Sequence, residues 1–88
     1  MNITFDPTKD AINFAKHDVS LALAADLEWD SAVTWLDTRQ EYGEPRQCGI
    51  GYIGHRLFFV AFVDRAEERR IISLRKANQR EVNRYAKT

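Results

Sequence analysis

Three consecutive strand-like segments give the second half of the chain its clearest hydrophobic pattern. Residues 56–64 contain LFFVAFV, an unbroken apolar run that predicts a strand buried on both faces at the centre of a sheet. Residues 46–53 precede it, and Gly54-His55 between them fits a two-residue hairpin turn. Residues 69–77 follow after a second turn, so the pattern predicts an antiparallel meander of three strands.

The last of these strands carries the first functional signal. Alternation predicts Ile72 and Leu74 on one face of the strand. It predicts Ile71, Ser73 and Arg75 on the other face. An arginine on a rigid strand beside a hydroxyl could bind a phosphate through two hydrogen bonds. A structural arginine held in a salt bridge is the alternative interpretation of the same pattern.

The first half of the chain has the periodicity of helices. Asp6 followed by Pro7 is typical of an N-cap and a first helical position, which predicts a helix over residues 7–17. A helical wheel places Ala11, Ile12, Phe14 and Ala15 on its apolar side, and Lys9, Asn13, Lys16 and His17 on its polar side. Residues 21–28 are apolar almost all round, which predicts a second short helix packed on two sides.

Two further strands and one closing helix complete the predicted fold. Residues 3–5 and 32–37 predict short strands, the second of them beside the meander, and residues 38–45 predict a polar loop. Asn78 and Glu81 have the spacing of a capping box, which predicts an amphipathic, basic helix after them. We therefore predict one α+β domain over residues 1–88, with an antiparallel sheet of about four strands, two N-terminal helices and one C-terminal helix.

Composition restricts the classes of function to be considered. The 44% hydrophobic and 30% charged residues are typical of a globular domain, and no apolar run approaches the length of a membrane span. No secretory signal follows Met1, so we expect a cytoplasmic protein without membrane contact. Cys48 is the only cysteine, and His17 and His55 are the only histidines. These counts exclude an internal disulfide and predict neither a protein metal site nor a cofactor.

Charge is divided unevenly along the chain, although the formal net charge is zero. Residues 1–45 carry three basic and nine acidic side chains, whereas residues 65–88 carry eight basic and three acidic ones. A basic C-terminal quarter suits a polyanionic ligand. The acidic first half suits either internal neutralisation or a basic partner.

Several separated motifs, in order along the chain, resemble the BrnT family of ribonuclease toxins from type II toxin–antitoxin pairs. They are Phe5-Asp6, Lys9, Asn13 and residues 16–20 at the start, residues 43–46 and Gly51 in the middle, and residues 70–77, Arg80-Glu81 and Tyr85 at the end. The resemblance spans nearly the whole chain. Asp18 departs from it, because the family usually has glycine at that helix end.

The resemblance also implies a fold, an activity and a partner. It implies a RelE-like fold, cleavage of RNA, and neutralisation by a BrnA-type antitoxin that carries a DNA-binding domain. A toxin–antitoxin hetero-oligomer is therefore expected. The motifs imply Glu44, Arg46 and Arg75 as site residues, with His17 and Lys16 as further candidates.

These candidates could supply each group that RNA cleavage without a metal requires. Such cleavage needs a base for the ribose 2′-hydroxyl, cations for the developing phosphate charge, and an acid for the leaving 5′-oxygen. Glu44 or His17 could be the base, and Arg46 with Arg75 the phosphate clamp. His17 or Tyr85 could be the acid. The residues predicted to bind RNA are Lys16, Ser73, Lys76, Arg80 and Tyr85.

The sequence leaves two alternatives to an active ribonuclease. The basic C-terminal segment and the apolar strands could serve a non-catalytic module that binds nucleic acid or protein. A toxin that has lost its activity but retains antitoxin binding would carry the same motifs.

Overall fold

A computed structural model describes residues 1–39 and 43–88. It contains a five-stranded sheet and two α-helices, which confirms the predicted α+β class. The strands are β1 (Asn2–Thr4), β2 (Val33–Leu36), β3 (Gln47–Ile53), β4 (Arg56–Arg65) and β5 (Glu68–Lys76). The helices are α1 (Pro7–His17) and α2 (Gln79–Ala86), with 3₁₀ helices at Leu21–Asp26 and Trp29–Ser31. Within the described residues, no helix has the length and apolar character needed to cross a membrane.

The strand order in the sheet is β1-β5-β4-β3-β2. The predicted meander of β3, β4 and β5 is present with β4 in the middle, and Gly54 makes the predicted turn with a φ of 61°. β2 pairs antiparallel with β3, which confirms its predicted place beside the meander. β1 pairs parallel with β5, so the sheet has five strands where about four were predicted.

The apolar segment after α1 forms one short helix, as predicted, but it is a 3₁₀ helix that ends at Asp26, and the second 3₁₀ helix lies beyond the predicted range of residues 21–28. Leu21 and Ala24, three residues apart, are buried, whereas Ala22 and Ala25 are exposed. A spacing of three matches the 3₁₀ period. The first 3₁₀ helix therefore packs through one side rather than two.

Different parts of the chain cover the two faces of the sheet. One face carries Phe58, Val60 and Phe62 of β4, which join the first 3₁₀ helix in the main hydrophobic core. The opposite face carries Leu57 and Phe59, which pack against α2. We call them the core face and the α2 face.

β5 contains a bulge that changes which of its side chains share a face. The pairing with β4 shifts so that Ile72 is the extra residue between Ile71 and Ser73. Ile71 is fully buried on the core face together with Leu74. The strict alternation that placed Ile71 beside Ser73 is therefore wrong.

α1 lies against the outer edge of β5, and the helical wheel mispredicted its buried side. Asn13, predicted to be on the solvent side, is 5% exposed, whereas Ile12 and Phe14 are 52% and 54% exposed. The Asn13 amide donates hydrogen bonds to the Leu74 and Val19 carbonyls, both at 2.8 Å, and its oxygen accepts one from the Leu74 N–H at 3.1 Å. An asparagine side chain thus takes the place of a neighbouring strand along this part of β5.

α1 ends at Asp18 in the left-handed conformation that glycine adopts most readily. The φ and ψ angles of Asp18 are 58° and 34°, and its N–H donates to the Phe14 carbonyl at 2.8 Å. Aspartate is one of the few other residues found in this region. The turn after α1 therefore forms without a glycine.

Candidate functional site

The bulge in β5 brings two arginines and a serine onto the α2 face. This part of β5 presents Arg70, Ser73 and Arg75, which lie opposite Val63, Ala61 and Phe59 of β4. Arg46 immediately precedes β3, two residues before Cys48, and alternation continued past the end of the strand would place it on the same face. Sequence analysis missed Arg70 because strict alternation separates it from Arg75. The signal that could have found it is the pair Ile71-Ile72, two adjacent apolar residues in an otherwise alternating strand.

Arg75 is bound to α2 in this conformation. Its two terminal nitrogens donate to the two carboxylate oxygens of Glu81 at 2.8 and 2.9 Å. Its guanidinium carbon lies 4.5 Å from the centroid of the Phe59 ring. The Arg75 side chain is nevertheless 31% exposed. The salt-bridged interpretation of Arg75 is therefore correct for this conformation, and the guanidinium remains accessible from solvent.

Glu81 connects this arginine to the start of α2. It closes the predicted capping box by accepting a hydrogen bond from the Asn78 N–H at 2.9 Å, while its own N–H donates to Asn78 Oδ1 at 2.9 Å. Burial would raise the pKa of the Glu81 carboxyl. The hydrogen bonds from Arg75 and Asn78 outweigh burial, so the pKa lies below its ordinary value of 4.5.

A glutamine at position 81 is expected to lower stability in a pH-dependent way. Glu81→Gln keeps the capping geometry but removes the charge that Arg75 binds, so we expect a loss of about 1 kcal/mol at neutral pH. Because folding lowers the pKa of Glu81, its ionic contribution is complete above pH 4.5 and disappears as the pH falls through the folded-state pKa. Thermal melts should show the two proteins converging in acid. A difference that is constant with pH would contradict the assignment.

A cleft of about 450 Å³ opens on the α2 face. It lies beside β2, between the sheet and the start of α2. We call it the arginine cleft. Its lining comprises Trp35, Leu36, Asp37, Thr38, Arg39, Cys48, Phe59, Arg75, Arg80, Glu81 and Arg84. Cations and aromatic rings dominate its walls, which suits an anionic ligand with flat, apolar parts.

Cys48 and Asp37 form the inner wall of the arginine cleft. Burial raises the pKa of the Cys48 thiol, and the negative charge of Asp37 raises it further. A thiol in this environment stays protonated at neutral pH and is a poor nucleophile. Among residues 1–39 and 43–88, no group of three or more histidine, cysteine, aspartate or glutamate side chains is placed to hold a metal ion.

Glu44 lies just before β3, where the chain re-enters the described region after residues 40–42 of the predicted loop. It pairs with Arg65 at the end of β4, and Arg65 Nε donates to Glu44 Oε2 at 3.0 Å. This hydrogen bond is the main reason that the pKa of Glu44 lies below 4.5, and the charges of Arg70 and Arg46 lower it further against the effect of burial. A carboxylate with a lowered pKa is a weak proton acceptor. Glu44 is therefore better suited to binding Arg65 than to acting as a base.

Lys16 and His17 lie apart from the arginine cleft, in a second depression between α1 and β5. We call this depression, of about 250 Å³, the α1 groove; its lining is Lys9, Ile12, Asn13, Lys16, His17, Ile72 and Ser73. Ser73 links the two regions, because it borders the α1 groove and precedes Arg75 on the α2 face of β5. The predicted site residues are thus divided between two neighbouring depressions and the start of β3.

The remaining predicted RNA-binding residues differ in their exposure and in the face of the sheet that they occupy. Lys76 is exposed and lies opposite Phe58, so it is on the core side of the sheet and not beside Arg75. Arg80 is exposed at the rim of the arginine cleft. Tyr85 packs edge-on against Tyr52 with ring centroids 5.5 Å apart, and its hydroxyl donates to the Ser31 carbonyl at 3.4 Å. These contacts give Tyr85 a role in fixing α2.

Similarity to known proteins indicates the family of the chain. A family model described as the ribonuclease toxin BrnT of type II toxin–antitoxin systems matches residues 5–81. The chain belongs to the BrnT family. The crystal structure of the Brucella abortus ribonuclease toxin BrnT is 30% identical in sequence, with a TM-score of 0.67 over 90% of this chain and 99% of that chain. No curated protein matches the chain.

Membership in the BrnT family confirms the resemblance inferred from the motifs. The match runs from Phe5, before α1, to Glu81 at the start of α2, so it includes every lining residue of the α1 groove and every lining residue of the arginine cleft except Arg84. The family description places BrnT proteins in toxin–antitoxin pairs, which implies an RNA target and an antitoxin partner.

Proposed function

We propose that the chain is a cytoplasmic endoribonuclease toxin that cleaves RNA by attack of the ribose 2′-hydroxyl, without a metal, until a BrnA-like antitoxin binds it. Its family is described as a ribonuclease toxin, and the related Brucella protein carries the same description.

The observation that best supports the proposal is the placement of Arg70 and Arg75 on one face of β5, with Arg46 immediately before β3. A phosphate passing through the transition state gains negative charge, and guanidinium groups fixed on strands can receive it without rearrangement. The Nε of Arg70 is buried and finds no hydrogen-bond partner among residues 1–39 and 43–88. A buried donor without a partner is costly, so a phosphate near Arg70 would satisfy a group that these protein residues leave unsatisfied.

The surroundings of His17, Glu44 and Tyr85 guide the assignment of the proton-transfer roles. His17 is the stronger candidate for both base and acid, because imidazole is the side chain whose charge changes near neutral pH. It borders the α1 groove with Ser73, which is next to Arg75 on the α2 face of β5. Glu44 is held in its ion pair with Arg65, and Tyr85 is held by Ser31. We therefore assign Glu44 to electrostatic support and Tyr85 to structure.

The ion pair between Arg75 and Glu81 favours one alternative. A toxin that has lost its activity but still binds its antitoxin could keep Arg75 as a structural residue, bound to α2 as it is in this conformation. Such a toxin would bind its antitoxin as an active toxin does, but it would not cleave RNA.

Expression in cells separates the proposal from its alternatives. Expression without a partner is expected to arrest growth with loss of RNA, whereas a binding module or an inactive toxin should leave RNA intact. Co-expression of a BrnA-like antitoxin is expected to restore both, because an acidic, apolar segment would mask the arginines. Growth and total RNA, measured with and without the antitoxin, test both parts. An antitoxin that binds tightly but leaves cleavage at its full rate would contradict masking.

A further inference from the structure

The arginine cleft contains aromatic surface that phosphate binding does not explain. Trp35 and Phe59 line it with ring centroids 6.1 Å apart and ring planes inclined by 55°. The guanidinium carbon of Arg84 lies 3.6 Å from the centroid of Trp35, and that of Arg75 lies 4.5 Å from the centroid of Phe59. Aromatic rings and guanidinium planes are the surfaces on which proteins stack unpaired bases.

The two tryptophans of the chain lie on different faces of the sheet. Trp29 lies on the core side of the sheet, where its Nε1 donates to the Ala24 carbonyl at 3.0 Å and its ring meets Phe62 edge-on at 5.2 Å. Trp35 is only partly buried and forms part of the cleft wall. The side chain over its ring belongs to Arg84, which is exposed. An exposed arginine can move off a ring at little cost, so the Trp35 ring can be uncovered.

The cleft also has the right size and position for part of a nucleotide. Its volume of about 450 Å³ is within the range of small-ligand sites, roughly 300–1,000 Å³. Arg75, the proposed phosphate ligand, lies on the same wall as Phe59. A base attached to a phosphate near Arg75 would therefore fall within the cleft.

We propose that the arginine cleft binds one unpaired base of the RNA substrate, and that Trp35 is the surface on which this base stacks. This inference rests on the proposed function, because it takes RNA as the ligand. Stacking on an aromatic ring tolerates any base. The cleft therefore selects for a single-stranded nucleotide next to the bound phosphate rather than for a particular sequence.

Binding of single-stranded 2′-O-methyl RNA tests the proposal without cleavage, since the attacking hydroxyl is blocked. Trp35→Leu is expected to weaken binding by roughly 5- to 150-fold, the effect of losing one base–aromatic stack. Trp35→Phe, which keeps a ring, should recover most of this loss. Thr34→Ala is the matched control, because Thr34 is the preceding, exposed residue of β2, and it should bind as the parent does. Thermal melts of each variant accompany the binding curves.

An abasic oligonucleotide distinguishes stacking from other effects of the substitution. With the base removed, the parent and Trp35→Leu should bind equally, because only phosphate contacts remain. Tryptophan fluorescence gives a second measurement that needs no destabilising change. Base-bearing RNA should quench the parent and should not quench Trp35→Phe, in which only the core-side Trp29 remains.

The possible results separate this inference from the proposed function. Three results would overturn the base site. They are equal binding of base-bearing RNA by the parent and Trp35→Leu, an equal loss of affinity in Trp35→Leu for abasic and base-bearing RNA, and no binding of RNA by the parent. RNA cleavage by the parent alongside any of these results would leave the ribonuclease proposal intact. Conversely, Trp35-dependent binding by a chain that cleaves no RNA would overturn the enzyme and retain the base site.

Discussion

Replacing Arg75 with alanine is expected to lower the rate of RNA cleavage by roughly a hundredfold to a thousandfold, the loss typical of removing one donor from a developing oxyanion. The guanidinium of Arg75 is fixed by β5, Phe59 and Glu81, so it meets a phosphate in a defined orientation. Arg75→Lys should recover only part of the activity, since an ammonium cannot reproduce the planar fork. Single-turnover cleavage of labelled RNA by purified variants measures the effect.

Two control variants separate chemistry from stability in this experiment. Glu81→Gln breaks the same ion pair but leaves the Arg75 guanidinium in place, so it should melt about as early as Arg75→Ala and still cleave RNA. Lys76→Ala removes a neighbouring cation on the other face of β5 and should cost much less activity. A folded Arg75→Ala protein that cleaves RNA at the parent rate would rule out Arg75 as the phosphate ligand.

Replacing Asn13 with alanine is expected to cause a large loss of stability. The substitution removes three buried hydrogen bonds and leaves the N–H and carbonyl of Leu74 and the carbonyl of Val19 without their partners. Each buried backbone group left unsatisfied costs about 1–3 kcal/mol, so we expect a loss of about 3 kcal/mol or more. For a domain of this size, the melting temperature should fall by roughly 12–24 °C.

Ile12→Ala is the matched control for Asn13→Ala, because it tests the orientation of α1. The helical wheel predicts that Ile12 is buried and Asn13 exposed, whereas the structure has the reverse. A substitution at an exposed position should change stability by about 0.5 kcal/mol or less. If Ile12→Ala proved more destabilising than Asn13→Ala in chemical denaturation, the described packing of α1 on β5 would be wrong.

The error in the predicted buried side of α1 has a physical origin. Periodicity assigns apolar side chains to the core, but the part of β5 that extends beyond its pairing with β1 also needs partners for its backbone groups. Asn13 meets that need at Leu74, so the polar residue is buried and the apolar Ile12 is left exposed. No pattern of hydrophobic residues predicts this, because the determining group is a backbone N–H that is 61 residues away.

The meander and the closing helix were predictable, because their signals are local. The unbroken apolar run of β4, the Gly54 turn and the capping box of Asn78 and Glu81 each act within a few residues. The candidate site was less predictable. The bulge at Ile72 arises from pairing between two strands, and it alone brings Arg70 to the face of Arg75. Trp35 gave no signal by itself, because its significance depends on Arg84 and Phe59, which are distant in sequence.

The chemical nature of the RNA ends produced by the purified protein tests the proposed function most directly. Attack by a ribose 2′-hydroxyl leaves a 2′,3′-cyclic phosphate on the upstream fragment and needs a base, an acid and phosphate-binding cations, but no metal ion. Incubation with single-stranded RNA in excess EDTA, followed by analysis of the fragment ends, measures both features together. We expect cleavage at an undiminished rate with cyclic phosphate ends. A strict requirement for magnesium, with no cleavage in EDTA, would contradict the proposed mechanism.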